Sequence, residues 1–474
     1  MANDELCSQP ISELAGLIAR REISPVDLTH AYLDRIERAN ASLNAFITVT
    51  SEQARQDAKS AEAEIVRHGP RSPLHGIPLA HKDIVATKNI KTTCGSKVLE
   101  NYVPDYDATV IKRLHAAGAL QLGKLNMHEF ATLVPSPHFG PVHNPWQHGY
   151  NPGGSSSGSG AAVAAGLCAG ALGTDTGGSI RIPAAYCGIV GLKATHGRVS
   201  LHGVMPLAWS LDHIGPMTRT VKDAALMLQA LAGYDPSDPS SQEVPVDDYL
   251  TSLNGDIRGL RLGVLTHFFP DATDPEVRQA FEAAIDVFAG LGASIIDVSP
   301  PDLETAWHTV QTIMNGEANV WHESYLRNQG DDYAPQVRKF LERGQPTLAT
   351  DYIKAQQAKS RLRQEMLTAC ADVDALLTPG ALTLPQPLGI RSVMIENREV
   401  PLLRAIVSAT SPFNLTGQPA LTLPCGRSLS GLPMALQIVG KPFDEATVLR
   451  IGYAYESHTT WHLQFPEIAI EEAG

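Results

Sequence analysis

The sequence predicts an α/β fold, and three observations support this prediction. A β-α-β unit is expected between Leu260 and Val298, where a helical pattern separates two short apolar runs. Residues 11–68 are helical in pattern, and apolar runs elsewhere end on charged or Pro-Gly clusters, as strands that lead into loops do. Because a crossover helix joins strands that run in the same direction, part of the sheet is expected to be parallel.

The first third of the chain is expected to supply a helical layer and then a strand with charged residues at its end. Residues 11–68 are assigned to the layer and carry no recognisable chemistry. Residues 74–83 contain a short apolar run that ends on His81, Lys82 and Asp83. This pattern predicts a strand that presents these polar side chains at its carboxyl end.

Two glycine loops that carry serines dominate the middle of the chain. They span residues 151–160 and 173–183, and they bracket the small-residue segment 161–172, whose alanine run is expected to form a tightly packed helix. Glycine permits backbone shapes and close approaches that other residues do not. The pattern therefore indicates a site built from backbone N–H groups and hydroxyls.

Composition indicates a globular protein and disfavours some partners. The chain has 474 residues, of which 43% are hydrophobic and 18% charged. No tandem repeat or long linker interrupts it, so one domain over residues 1–474 is expected. Within it we distinguish a helical layer, a core and a remainder of sheet and pocket-covering helices, at residues 1–68, 74–220 and 255–465. The formal charge of −13 disfavours direct contact with nucleic acid or with an anionic membrane.

Several other classes of protein are disfavoured by missing patterns. The six cysteines form no C-x-x-C pair, and no signal peptide or transmembrane run is visible, which predicts a cytoplasmic protein. His138, His143 and His148 lie in a Pro/Gly loop without a nearby carboxylate, so no metal is predicted there. The G-x-S-x-G pattern around Ser156 lacks the preceding strand that a nucleophile elbow needs.

The chain resembles the amidase signature family of serine hydrolases. The two central motifs that carry this resemblance are Gly153-Gly-Ser-Ser-Ser-Gly-Ser159 and Gly173-Thr-Asp-Thr-Gly-Gly-Ser-Ile-Arg181. Further matching stretches occur in the same order on both sides, namely Pro78–Asp83, Gly123–Phe130, Gly140–Trp146, Gly188–Lys193, Asp212–Met217 and Gly431–Gln437. The resemblance covers most of the chain and implies one α/β/α domain around a mixed sheet.

Ser179 is the candidate nucleophile. From the residues alone, successive glycine N–H groups ahead of a serine can converge to form an oxyanion hole, and the alternative is a tight glycine turn with an incidental serine. The resemblance implies that Ser179 attacks the substrate and that the N–H groups of Thr176, Gly177, Gly178 and Ser179 bind the oxyanion.

The resemblance also implies a proton relay from Ser179 through Ser155 to Lys82, with a cis peptide bond before Ser155. A buried position at the end of a strand would favour the neutral amine of Lys82, because burial disfavours the ammonium form. The alternative is a surface lysine beside Asp83. Asp175 and Arg181 flank the glycine turn and are expected to pair and brace it.

The predicted reaction is hydrolysis of a carbon–nitrogen bond in a neutral amide, anilide or carbamate through an acyl-enzyme on Ser179, without a metal or cofactor. Its rival is the glutamine-hydrolysing component of a tRNA-dependent amidotransferase. Those components are similar to this chain at Asn414–Gly417 but carry an aspartate where this chain has Val407. That difference favours a less polar substrate. A catalytically silent binding scaffold is the third alternative, and the retained Lys82, Ser155 and Ser179 argue against it.

The pocket wall and the partners are predicted less directly. The pocket is assigned to Phe130, Ala131, Thr132 and Ile180 because of their positions next to the motifs, with ordinary core packing as the alternative. Residues 306–351 are expected to shape its entrance through four aromatic or sulfur-containing side chains, those of Trp307, Met314, Trp321 and Tyr325. The predicted partners are a small-molecule amide or carbamate, with no direct nucleic acid and no membrane, and a homodimer is left open.

Overall fold

A mixed sheet forms the centre of the computed structural model, which describes residues 3–265, 273–303, 305–395 and 398–468. In these residues the sheet has eleven strands in the order β1-β3-β2-β4-β6-β5-β12-β13-β9-β7-β8. Strands β10 and β11 form a separate antiparallel hairpin. The strands are β1 Phe46–Val49, β2 Pro78–Lys82, β3 Leu120–Leu125, β4 Gly170–Thr174, β5 Val190–Lys193, β6 Ile214–Thr218, β7 Arg261–Val264, β8 Ser294–Asp297, β9 Ala375–Pro379, β10 Ser392–Ile395, β11 Arg398–Pro401, β12 Ala420–Arg427 and β13 Pro433–Gly440.

Helices flank this sheet, so the predicted α/β class with a mixed sheet is confirmed. The α-helices are α1 Asn3–Ser8, α2 Ile11–Ala19, α3 Pro25–Leu43, α4 Ser51–His68, α5 Thr109–Ala117, α6 Ser157–Ala164, α7 Arg181–Cys187, α8 Val221–Leu231, α9 Pro275–Gly290, α10 Ala306–Gln329, α11 Pro335–Gly344, α12 Ala349–Ala369, α13 Leu402–Val407, α14 Pro412–Thr416 and α15 Glu445–Ser457. In the part of the chain that the structure describes, no helix combines the length and the apolar character needed to cross a membrane. The assignment of residues 1–474 to one domain stays a prediction.

The predicted β-α-β unit is present as β7, α9 and β8. Strands β7 and β8 pair in parallel from Arg261 with Ser294 to Val264 with Asp297. Asp274 caps the helix by accepting the N–H of Glu276 at 2.9 Å. The helix therefore begins where the sequence pattern placed its start.

Two local predictions differ from the structure. The helical layer is interrupted by β1, which pairs with β3, because the aromatic and β-branched residues of the Phe-Ile-Thr-Val run from Phe46 favour a strand. The small-residue segment also divides: helix α6 ends at Ala164, and residues 170–174 form β4. Gly166 separates them with a φ of +67°, a left-handed conformation that ends a helix.

The parallel strands β2 and β4 position the site. They pair directly, with Leu79 opposite Gly170 and His81 opposite Leu172. Parallel neighbours bring their carboxyl ends to the same edge of a sheet. Lys82 therefore ends β2 beside Thr174, which ends β4 and leads into the second glycine loop.

Candidate active site

Lys82 lies fully buried at the end of β2. Its Nζ donates hydrogen bonds of 2.7 Å to Ser155 Oγ and of 2.7 Å to Thr174 Oγ1. Burial lowers the pKa of Lys82 to about 7, although the carboxylates of Asp175 and Asp212 partly oppose this shift. A lysine with this pKa is neutral in a large fraction of molecules near neutral pH, so it can accept a proton. The alternative of a surface lysine does not fit this burial.

Ser155 is held next to Lys82 by the first glycine loop. The peptide bond between Gly154 and Ser155 is cis, as the resemblance implied. The N–H of His128 donates to the Ser155 carbonyl at 3.1 Å. A Cβ added to Gly154 would overlap the His128 ring, so only glycine fits before Ser155. Burial and the nearby Lys82 lower the pKa of His128 to about 4, which keeps this imidazole neutral at pH 7.

Ser179 faces the cavity that Ser155 also lines. The two serine loops are joined where the N–H of Ser156 donates to the Ser179 carbonyl at 3.3 Å. Within the described residues, the Ser179 hydroxyl has no hydrogen bond to Ser155. The proton path between them therefore stays a prediction, whereas the contact from Ser155 to Lys82 is present in the structure.

Asp175 and Arg181 form a fully buried ion pair behind Ser179. Arg181 Nη2 donates to Asp175 Oδ1 at 2.9 Å and to Asn414 Oδ1 at 2.7 Å. Asn414 donates in turn to Asp175 Oδ1 at 2.8 Å. Burial alone would raise the pKa of Asp175, but the guanidinium outweighs it and holds this pKa well below the usual range. The pair braces the glycine turn and ties it to the Asn414 segment.

The predicted oxyanion donors need one correction. The N–H of Gly178 donates to Asp175 Oδ1 at 2.8 Å. An N–H carries one hydrogen, so this group is already used in bracing the turn. The N–H groups of Thr176, Gly177 and Ser179 have no hydrogen-bond acceptor within the described part of the chain, and all three residues line the cavity. These three remain the candidate donors.

Two polar side chains of the site have roles that sequence reasoning missed. Thr174 accepts from Lys82, and the only signal was a threonine at the end of a strand. Asp212, in one of the motif stretches, accepts the hydroxyl of Thr176 and the N–H groups of Leu207, at 2.9 Å, and Ala208, at 3.0 Å. Burial raises the pKa of Asp212 to about 7. This carboxyl connects the candidate oxyanion loop to the segment beside it.

The cavity at Ser179 has a volume of about 690 Å³ and a largely apolar wall. The apolar side chains that line it come from several elements and include Ile182, Leu207, Trp307, Met314, Phe340, Leu402, Leu403, Ile406 and Val407. A wall of this kind holds a substrate mainly by excluding water from apolar groups.

Only part of the predicted pocket wall lines this cavity. Ala131 and Thr132 do so. Phe130 instead packs against His322, with ring centroids 4.6 Å apart. Ile180 is fully buried and packs against the sheet at Gly191, and the neighbouring Ile182 takes the place at the cavity.

The predicted entrance helix is likewise divided. Trp307 and Met314 line the cavity. Trp321 and Tyr325 lie one after the other along α10, and their rings stack with centroids 5.0 Å apart. These two side chains therefore pack on each other away from the cavity wall.

The fold and site define a large α/β protein with a buried lysine, two serines and an apolar cavity at one edge of its sheet. A family model described as Amidase matches residues 27–449. The chain belongs to this family, the amidase signature enzymes, as the sequence motifs predicted.

Known relatives cover almost the whole chain. The GatA-type component of the glutamyl-tRNA(Gln) amidotransferase from Geobacter metallireducens is 43% identical over 487 residues, which is 97% of this chain and 99% of the relative. Among solved structures, a chain from a vestigial protein complex connected with the origins of an s-triazine catabolic enzyme superposes with a TM-score of 0.91. It is 32% identical and covers 95% of this chain and 98% of its own. A peptide amidase from Stenotrophomonas maltophilia gives a TM-score of 0.87 at 30% identity, over 97% of this chain and 99% of its own.

These relatives correct the predicted partners. The sequence predicted a small-molecule amide or carbamate as the substrate, with no nucleic-acid partner and at most a second copy of the chain. That prediction is wrong, because the matched relatives are named as one component of an enzyme of glutamyl-tRNA. The coarser prediction of an amidase signature enzyme is confirmed.

Proposed function

We propose that this chain cleaves the carbon–nitrogen bond of a carboxamide through an acyl-enzyme on Ser179. The observation that carries the proposal is the hydrogen bond of 2.7 Å between Lys82 Nζ and Ser155 Oγ, beside Ser179. The pKa of Lys82, lowered to about 7, suits a general base that works near neutral pH.

Each proton has a place in this reaction. Ser179 Oγ forms a bond to the amide carbon while its proton passes through the Ser155 hydroxyl to Lys82. The N–H groups of Thr176, Gly177 and Ser179 stabilise the oxyanion. When the carbon–nitrogen bond breaks, the proton returns by the same path to the leaving nitrogen. A water molecule then attacks the acyl-enzyme and frees Ser179.

The first candidate substrate is the side-chain amide of glutamine, with this chain acting as the glutamine-hydrolysing component of an amidotransferase. The support comes from the relatives named for that component, which are 40–43% identical and match 96–97% of this chain. In this function the chain works with other proteins of the complex, and the ammonia it releases is used by them.

The second candidate is an amide, anilide or carbamate with an apolar acyl group. Val407 favours it, because this side chain lines the cavity where the amidotransferase components carry an aspartate for the glutamine amine. Leu402, Leu403 and Ile406 extend the same apolar wall. The peptide amidase with a TM-score of 0.87 is a relative that acts on amides.

Product release by the purified chain and by its Ser179→Ala variant tests the reaction. The panel contains glutamine, an aryl anilide and an aryl carbamate, each assayed with the chain alone and with the remaining amidotransferase components of its source organism. We expect turnover that the variant loses. Equal turnover by the variant refutes the acyl-enzyme on Ser179. Glutamine hydrolysis that requires the other components supports the first candidate, and anilide or carbamate cleavage by the chain alone supports the second.

A further inference from the structure

The charges on the cavity wall carry information about the substrate. Of the described residues that line the cavity, Arg391 is the one with a charged side chain at pH 7, and no described lining residue is an aspartate or glutamate. His128 also lines the cavity, but its pKa of about 4 keeps it neutral. The site thus offers one guanidinium to a negative group and no carboxylate to a positive one.

The segment that carries Arg391 is fastened to the loop that leads to Ser155. The N–H of Asn151 donates to the Gln386 carbonyl at 2.8 Å, and the N–H of Leu388 donates to the Gly149 carbonyl at 2.9 Å. The carbonyl of Arg391 accepts the N–H of Leu402 at 2.9 Å, which fixes the segment to the start of α13. These bonds hold the backbone at Arg391 in a defined position relative to the serine loop.

The guanidinium of Arg391 is available to a ligand. Its side chain is exposed, and it forms no ion pair with any residue that the structure describes. Glu399, on the facing strand β11, accepts the hydroxyl of Ser392 at 2.6 Å. In a chain of formal charge −13, an unpaired arginine on a cavity wall offsets the general repulsion of anions.

Apolar side chains make up the cavity wall beside Arg391. Leu402, Leu403, Ile406 and Val407 come from α13 and line the same cavity. An ammonium group against this wall would lose its water without gaining a partner, which is unfavourable. A hydrocarbon chain gains from the same contact.

We propose that the substrate is an amide whose acyl chain is apolar and ends in a carboxylate that binds Arg391, and that carries no ammonium group. Such a substrate is a monoamide of a dicarboxylic acid. The inference rests on the acyl-enzyme reaction proposed above, and it differs in charge from both candidates given there. Guanidinium and carboxylate match in geometry and can form two parallel hydrogen bonds.

Three amides that differ by one group each test the inference. Glutaramate is glutamine without its ammonium group, and butyramide is glutaramate without its carboxylate. Ammonia release by the full chain gives kcat/KM for all three. Hydrogen bonds to a charged group predict a kcat/KM for glutaramate that is about tenfold or more above both others. A value for glutamine or butyramide equal to that for glutaramate overturns the inference.

Two arginine variants assign the effect to one side chain. Arg391→Gln is expected to reduce kcat/KM for glutaramate to the value for butyramide and to leave butyramide unchanged. Arg404→Gln is the matched control, because Arg404 is an exposed arginine of α13 that is absent from the cavity wall, and it is expected to change neither value. An equal loss on both substrates in Arg391→Gln, or no loss, contradicts the role of this side chain.

A binding measurement separates this inference from the proposed reaction. If the chain releases no ammonia from any of the three amides, the proposed reaction fails for them. Calorimetry with glutaramate and the Ser179→Ala protein then still tests Arg391. Binding that is lost when Arg391→Gln is added supports the inference. Equal binding with and without that change, or no binding in either protein, overturns it.

Discussion

Lys82 Nζ lies 2.7 Å from Ser155 Oγ at a point that solvent does not reach. Burial favours the neutral amine, and the neighbouring carboxylates of Asp175 and Asp212 favour the ammonium form. The balance leaves the pKa of Lys82 at about 7, so small changes in its surroundings should be visible in the dependence of activity on pH.

The pH profile of the wild-type chain should have an acid limb at about pH 7. The base form of Lys82 is the active one, so kcat/KM is expected to rise with pH below the pKa of about 7 and to level off above it. Lys82→Ala should lower kcat/KM by a factor of about 10² to 10⁴, the usual contribution of a general base. Steady-state rates from pH 5 to 9 check both statements. A variant that keeps half of the activity contradicts the assignment of Lys82 as the base.

Asp212→Asn should move that acid limb to lower pH. The carboxylate of Asp212 raises the pKa of Lys82, and asparagine removes its charge while keeping a similar shape. The amide oxygen can still accept the N–H groups of Leu207 and Ala208. The same rate measurements locate the midpoint of the limb. A midpoint that stays in place or moves to higher pH shows that Asp212 does not act on Lys82 through its charge.

Arg181→Leu should strongly destabilise the fold. It leaves the fully buried Asp175 carboxylate without its partner, which typically costs about 3–5 kcal/mol of unfolding free energy. Denaturant unfolding followed by circular dichroism measures the change. Arg258→Gln is the control, because it breaks the exposed ion pair with Asp256 and should have no measurable effect. Equal stability of both variants would show that Arg181 does not support the glycine turn.

Gly154→Ala should reduce turnover without unfolding the chain. The added Cβ overlaps the His128 ring, so the ring or the backbone before Ser155 must shift. Shifts of this size near reacting groups typically cost about 10² in rate. Gly290→Ala is the control, because a Cβ there meets nothing within 4 Å, and activity should not change. Activity and thermal unfolding of both variants are compared. Full activity of Gly154→Ala contradicts the tight fit at this position.

The sequence was sufficient to predict the fold class and the position of Lys82, Ser155 and Ser179. Periodicity identified the β7-α9-β8 unit, and the glycine motifs carried the resemblance to the family. Their catalytic roles stay a prediction. The bond from Lys82 to Thr174 was not predictable, because it depends on the pairing of strands that lie far apart in the chain.

The pocket wall shows why side-chain directions in loops escape sequence reasoning. Phe130 and Ala131 have φ angles of +48° and +58°, which are uncommon for residues other than glycine. These angles reverse the local chain direction and turn the Phe130 ring toward His322. A loop has no periodicity from which this could be predicted, in contrast to a helix or strand.

The pairing of β2 with β4 makes catalysis dependent on strand register. Lys82 and Thr174 meet because the two parallel strands are aligned with Ala80 opposite Ala171. A slip of one residue would turn every side chain of β2 to the other face of the sheet and remove the amine from Ser155. Native helix content after refolding would not detect such an error. Recovered turnover would, so the specific activity of refolded protein is a direct measure of the fraction of molecules with the correct alignment.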